Sequence, residues 1–455
     1  ETYYIWRLNL IGTIYISRAS IWRTIDMKKL FFILLTGIMT ASLAGCGKGK
    51  EAGSKPEYTP LIREDLMWNT EELFNRAVTV EKGETGDYAN ANGTTEAIFY
   101  DGPEYNGKPT KVFAYVGFPS APMPEGGYPA VILVHGGGGC AFFEWVEYWN
   151  GKGYAAIAPD FYAQQYGSYK LQNGKAPKNP DGGPVDSGSF RNTAEDYKDS
   201  WVYHSVYNII SAHNILLSDE RVNENKTGLT GISWGSVLTC IAAGVDYRFG
   251  AFAPVYGTGF LLETPGVSSR DYFEMPYDAA EWMRYYDPAS YLTYCNRPIM
   301  FSIGTNDSFF SPVLQQQSAD LCEGPVYHCF RAELRHYHRW KDEEGMIHVA
   351  DFMDFVLSGK AAPFVVESEA LDGRELTVTL SDGSSVKQIR VCYTLSTEGN
   401  STQWKWSLFG VNPKEFDGNK LTVTLPENAE YCFVEFSDGA FDEYFQSTRL
   451  YSLEK

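Results

Sequence analysis

The stretch that most constrains this chain is "KTGLTGISWGSVLTCIAAGV", residues 226–245. An apolar, strand-like run leads into Gly231-Ile232-Ser233-Trp234-Gly235, and an apolar, helix-like run leads out of it. A serine in a surface turn needs no explanation. One at the junction of a buried strand and a buried helix does, because packing there is tight and buried polar groups are costly. The residues two positions away on either side are glycines, as required by a turn sharp enough to lift a hydroxyl above the carboxyl end of a strand. The helix that begins there turns its N-terminus, which stabilises negative charge, toward the same place. The stretch therefore reads as a nucleophile elbow with Ser233 as the nucleophile, because the strand before it and the helix after it supply the context that a G-x-S-x-G match alone lacks.

The surrounding pattern agrees. Residues 95–136 hold three strand-like runs, "TEAIFY", "KVFAYVGF" and "PAVILVHG", the last apolar enough for a strand covered on both faces. "EWVEYWNGKG" reads as a helix with a glycine stop, and "YAAIAPDFYA" as another buried strand. Strand–helix–strand alternation of this kind predicts a parallel α/β sheet. A polar stretch over 164–192 is long for a structureless connection and suits a lid or binding loop. "AEDYKDSWVYHSVYNIISAHNILLS" predicts one long amphipathic helix before the elbow. "FGAFAPVYG", "RPIMFSIGTND" and "VYHCFRAEL" predict further strands, with an aromatic-rich insert over 258–290. A final helix, "EGMIHVADFMDFVLSG", ends at Gly359. After "KAAP" the apolar period changes to two, which predicts an antiparallel β-sandwich over 364–455 beside an α/β domain over 59–360.

Composition bounds the rest. A chain of 455 residues suits two or three domains. Its formal net charge of −19 repels phosphate backbones, which argues against a nucleic-acid partner. Residues 1–26 read as translated upstream sequence, with the natural start at Met27. From there "MKKLFFILLTGIMTASLAGC" has the basic start, apolar core and small residues of a secretory signal. Its ending resembles the lipobox of bacterial lipoproteins. That resemblance implies lipidation of Cys46, a signal over 27–46, and a protein exported and lipid-anchored to a bacterial membrane, periplasmic or at the cell surface. Residues 47–58 read as a flexible tether. The membrane is met through this anchor alone. The other seven cysteines lack metal-ligand spacing, so no metal site is expected. Cys392 and Cys432 are the one candidate disulfide, within the last domain.

A serine nucleophile needs a base, and in this topology the partners follow in the order Ser, acid, His. That order excludes His135, His204 and His213. His348 falls inside the final helix and His328 inside a strand. "LRHYHRW" leaves His336 and His338; His336, nearer the strand end, is preferred, with His338 as the alternative. The acid is expected at Asp307, in the turn after "MFSIGT"; Asp271 and Asp287 follow no clear strand. The glycines of "VHGGGGC" (134–140) let backbone amides approach a substrate oxygen. Oxyanion donors are therefore expected at Trp234 and at Gly137 or Gly138. A phosphate-binding P-loop is excluded because no Lys-Ser/Thr follows.

Over residues 128–360 the chain resembles bacterial α/β-hydrolases of the acetyl xylan esterase group, related to the dienelactone hydrolases. The resemblance rests on "VILVHGGGG", the elbow stretch with its preceding helix, "YYDPASYL" and "GTNDSFF". It implies an α/β-hydrolase fold and a triad of Ser233, Asp307 and a histidine of "RHYH", with no cofactor. Two departures stand out. Ser236 replaces a second glycine after the elbow, and Arg335 and Tyr337 occupy a loop usually richer in Gly and Pro. The function implied is a serine carboxylesterase that deacetylates sugars or oligosaccharides, its partner a small-molecule or glycan ester. A serine peptidase of the prolyl oligopeptidase type and a non-catalytic glycan-binding lipoprotein are the alternatives. Aromatics in "FYAQQY", "DYFEMPY" and "EWMRYY" suit either sugar stacking or core filling, and "WKW" (404–406) either glycan binding or packing.

Overall fold

The computed structural model describes residues 67–85, 94–171, 175–185, 197–264, 284–336, 347–397, 403–439 and 444–453. The chain divides into two units, Glu1–Glu57 and Tyr58–Lys455, and every described residue lies in the second. Cys46, the signal and most of the tether fall in the first unit, outside the described residues, as do Asp271, Tyr337 and His338 of the second.

The second unit opens with a short helix α1 (Thr70–Phe74) and strands β1 (Val80–Lys82), β2 (Thr95–Asp101), β3 (Lys111–Gly117) and β4 (Tyr128–Val134). Helix α2 (Phe143–Gly151) and β5 (Ala155–Pro159) follow, then the long helix α3 (Trp201–Ser218). Next come β6 (Val222–Ile232), helix α4 (Trp234–Ala243), β7 (Ala251–Val255), a one-turn helix α5 (Ala289–Leu292) and β8 (Ile299–Asn306). Helix α6 (Pro312–Ala319), β9 (Val326–Arg335) and helix α7 (Ile347–Met353) complete the α/β part.

β5, β4, β6, β7, β8 and β9 lie side by side and run parallel, while β1, β2 and β3 add an antiparallel flank. The central strands are covered on both faces, and every residue of β4, β5 and β7 is buried. That is why they read as unbroken apolar runs rather than alternating ones. Ser200 caps α3 by accepting the amide hydrogen of Tyr203, which fixes where the long helix starts. Fourteen of its eighteen residues are buried, so α3 is a core element rather than a surface one.

The C-terminal strands are β10 (Val366–Asp372), β11 (Glu375–Leu380), β12 (Gln388–Thr394), β13 (Trp406–Val411), β14 (Lys420–Thr424), β15 (Tyr431–Ser437), β16 (Phe445–Ser447) and β17 (Tyr451–Ser452). β10, β11 and β14 form one antiparallel sheet. The other layer, β16-β15-β12-β13, joins the edge of the α/β sheet at β9, so that one sheet of fourteen described strands runs through both parts. Between the layers sits a separate core of Leu376, Val378, Val391, Leu421, Val434 and Phe436. The opposite face of β12 and β15 packs Cys392 and Phe433 into the α/β core.

This alternation removes the candidate disulfide. Cys392 stands opposite Phe433 and Cys432 opposite Tyr393. The two cysteines thus point to opposite faces of the sheet, and both are free and buried. "WKW" is not divided in this way: Trp404 stacks on Tyr431 and Trp406 packs edge-on against Phe433, two residues that share one face of β15.

Candidate functional site

Ser233 lies between β6 and α4 and takes φ 56°, ψ −120°, a backbone region that residues with side chains rarely enter. Its amide donates to the Val255 carbonyl at 2.9 Å, and its own carbonyl accepts from Ser236 and Val237, the first bonds of α4. The glycines on either side are dictated by distance. A Cβ at Gly231 would lie 2.3 Å from the Gly235 carbonyl oxygen, and one at Gly235 would lie 2.2 Å from that of Val134. The turn closes only because both side chains are missing.

His336 is the first residue past β9. Its Nε2 is 3.0 Å from Oγ of Ser233, and its Nδ1 is 2.7 Å from Oδ2 of Asp307. The other oxygen of Asp307 accepts the amide hydrogens of Phe309 and Phe310, each at 2.8 Å. Asp307 is 1% exposed, so its carboxylate is held by these bonds rather than by water. The rings of Phe309, Tyr256 and Phe310 surround His336, with centroids 4.7, 5.6 and 5.8 Å away. With Nδ1–H given to Asp307, Nε2 is left as an acceptor for the serine proton. Ser233, Asp307 and His336, drawn from three strand ends, thus form one hydrogen-bonded line.

The glycine-rich loop after β4 lies directly alongside. Gly139 donates its amide to the Gly136 carbonyl at 3.0 Å, and Gly138 takes φ 71°, which closes a tight turn. A Cβ at Gly136 would lie 3.0 Å from Cβ of Ser233, and one at Gly137 would lie 3.0 Å from the Trp234 indole. Gly136 therefore lies against the serine itself, and Gly137 lies against the Trp234 side chain that follows it. The turn is fixed by His135, whose Nδ1–H donates to the Gly136 carbonyl while Nε2 accepts the Phe161 amide hydrogen, each at 3.0 Å. Burial holds the His135 pKa down at about 4, so the ring is neutral and keeps this pattern. Asp160, beside it, is pushed up to about 7 by burial and caps the next turn through the amides of Tyr162 and Gln164. Chain order alone excludes His135 as the base, and the one sequence signal for its grip on the glycine loop is its place at the head of "HGGGG".

The remaining described histidines serve elsewhere. His213 bonds Asp246 and Thr227 in the fully buried core, and His348 accepts from Arg331. Of the expected aromatics, Tyr162 stacks on Trp201, which meets Trp234 edge-on. "DYFEMPY" lies outside the described residues. Among the described residues no group of three or more His, Cys, Asp or Glu side chains is placed to hold a metal ion, and no helix is long and apolar enough to cross a membrane.

Residues 112–323 match the Dienelactone hydrolase family. Among solved structures, the chain is similar to the acetyl xylan esterase from Paenibacillus sp. R4, with 21% identity over 65% of this chain and 96% of that one, at TM-score 0.50. Acetyl xylan esterase 1 from Thermoanaerobacterium sp. JW/SL YS485 follows with 14% identity, 62% and 92% coverage and TM-score 0.45. A puromycin-hydrolyzing peptidase of Mycobacterium tuberculosis gives 19% identity, 56% and 39% coverage and TM-score 0.42. No curated protein matches the chain. The elbow, the parallel sheet that carries it and the match over residues 112–323 lead to one statement: the chain has an α/β-hydrolase fold, is similar over that stretch to the dienelactone hydrolases, and is a serine hydrolase that acts on esters.

Proposed function

We propose that the protein is a carboxylesterase that removes acetyl groups from sugars or oligosaccharides, with Ser233 as nucleophile, His336 as base and Asp307 as the carboxylate that orients it. The observation that carries this reading is the unbroken line from Asp307 through His336 to Ser233. Oγ attacks the ester carbonyl as its proton passes to Nε2, and the imidazolium so formed is stabilised by Asp307. The amide of Trp234 and that of Gly137 or Gly138 receive the developing oxyanion; one such donor contributes about 3–4 kcal/mol of transition-state stabilisation. The imidazolium then protonates the leaving alkoxide, and water, activated by the same ring, releases the acid. The rings of Tyr162 and Trp234 lie beside Gly137, where a bound sugar would pass, and a lipid anchor at Cys46 would keep the enzyme at the membrane where exported glycans are met.

A panel of acetylated monosaccharides, xylan fragments, aryl acetates and matching amides tests the proposal. Acetyl release from the sugar esters is expected, with turnover falling at least about a thousandfold in Ser233→Ala while the fold is kept. Faster cleavage of the amides would favour a peptidase. A folded protein that neither cleaves any of these nor reacts with a fluorophosphonate at Ser233 would defeat the reading and leave a glycan-binding protein.

A further inference from the structure

β9 does not run straight into His336. Arg331 stands beside Gly304 of β8, yet Arg335 stands beside Asn306, so β9 spends four residues where β8 spends two. The excess forms a bulge in which Glu333 takes a left-handed φ of 65°. A bulge removes amides from the ladder, and buried amides then need other acceptors. Two side chains supply them. Oγ1 of Thr305, two residues before Asp307, accepts the Glu333 amide hydrogen at 2.8 Å. The carboxylate of Glu435, on β15 in the C-terminal part, accepts the Ala332 amide hydrogen through one oxygen and Nε–H of Arg390 through the other.

Glu435 is 2% exposed, and Arg390 stands directly opposite it across the β12–β15 pair. A buried ion pair is a weak source of net stability, since the cost of desolvating both charges offsets much of their attraction. What it does supply here is an acceptor of fixed position for an amide four residues before His336. We propose that Glu435 is a positioning residue for the reaction. By clamping the β9 bulge it sets where the imidazole stands relative to Ser233 and Asp307, so the C-terminal β-domain completes the active site through Glu435. This rests on the reading of His336 as the base.

The test compares Glu435→Ala and Glu435→Gln in the full chain, measuring kcat, KM and the rate of fluorophosphonate labelling at Ser233 well below each variant's Tm. Small misplacements of a reacting group carry large kinetic costs, so Glu435→Ala is expected to lower kcat by at least about tenfold while KM stays within about twofold. Labelling should slow by the same factor, and Glu435→Gln, whose one amide oxygen can serve the Ala332 amide or Arg390 but not both, should recover part of the loss. A folded Glu435→Ala protein with lower Tm but native kcat and labelling would overturn the proposal, as would a Gln variant no better than Ala. Should Glu435→Ala not fold, Arg390→Gln is read the same way: a severalfold loss of kcat supports the clamp, and native kcat overturns it. Failure of the unaltered protein to label at Ser233 would sink the functional reading and this proposal together, and it would be visible before any variant is made.

Discussion

Asp307 accepts from His336 on one carboxylate oxygen and from two backbone amides on the other. A carboxylate in that setting has no room for a donor. Asn at this position must turn its oxygen toward the amides of Phe309 and Phe310, because its NH2 group would face two N–H groups there. The NH2 group then meets Nδ1 of His336 and imposes the tautomer protonated at Nε2, which cannot take the serine proton. Asp307→Asn is therefore expected to lose about 10⁴ in kcat with KM little changed. Steady-state kinetics on an aryl acetate, with circular dichroism to verify the fold, decide it; a loss of less than tenfold would remove Asp307 from the mechanism.

The two closest approaches at the elbow predict a contrast between glycines. A Cβ added at Gly235 meets the Val134 carbonyl oxygen at 2.2 Å, backbone against backbone, whereas one added at Gly151, the last residue of α2, meets nothing within 4 Å. Gly235→Ala is expected to destabilise the fold by at least about 3 kcal/mol. Gly151→Ala should be neutral or stabilising by up to roughly 1 kcal/mol, since alanine restricts the unfolded chain. Urea unfolding of both variants would show the difference; equal midpoints would mean that the elbow is looser than these distances say.

Buried histidines make stability depend on pH in a definite direction. His328 has its pKa lowered from 6.5 to about 3 by burial, with Arg449 adding to the shift. Between those values the unfolded chain takes up a proton that the folded protein refuses, so stability falls as pH falls. Asp160 acts oppositely: its folded pKa of about 7 against 3.8 contributes stability at low pH that is lost as pH rises through 7. Replacing His328 by Phe, beside the stacked ring of Phe330, removes the first contribution and keeps the second. The drop in stability between pH 7 and pH 5 is expected to shrink by roughly 2 kcal/mol in His328→Phe. Thermal melts at the two pH values would check it, and an unchanged drop would show that His328 does not titrate in this window.

The parts of this protein legible in its sequence are those written in local pattern. Ser233 is announced by the strand and helix around it, Asp307 by the turn that ends a buried strand, and His336 by its place just past the next one. What sequence hides is whatever depends on which strands become neighbours. Glu435 looks like one more polar position in an alternating strand, "EYCFVEF". Its acceptor role appears only when β16 and β15 extend the sheet beyond β9. Cys392 and Cys432 fail as a pair for the same reason, since facing depends on register and register is a tertiary property. The hold of His135 on the glycine loop is hidden too, because its partner, the Phe161 amide, comes from the end of a different strand.

The run of strands past β9 also settles where the sheet stops. An α/β sheet ending at β9 would present unmated N–H and C=O groups to other molecules, the usual invitation to edge-to-edge aggregation. Here β16 lies along β9, Ser447 hydrogen-bonds the Phe330 amide, and the terminal strand becomes β13, with Leu408 and Phe409 exposed. Among the described strands the free border on this side is therefore β13, and not β9, the strand that delivers His336.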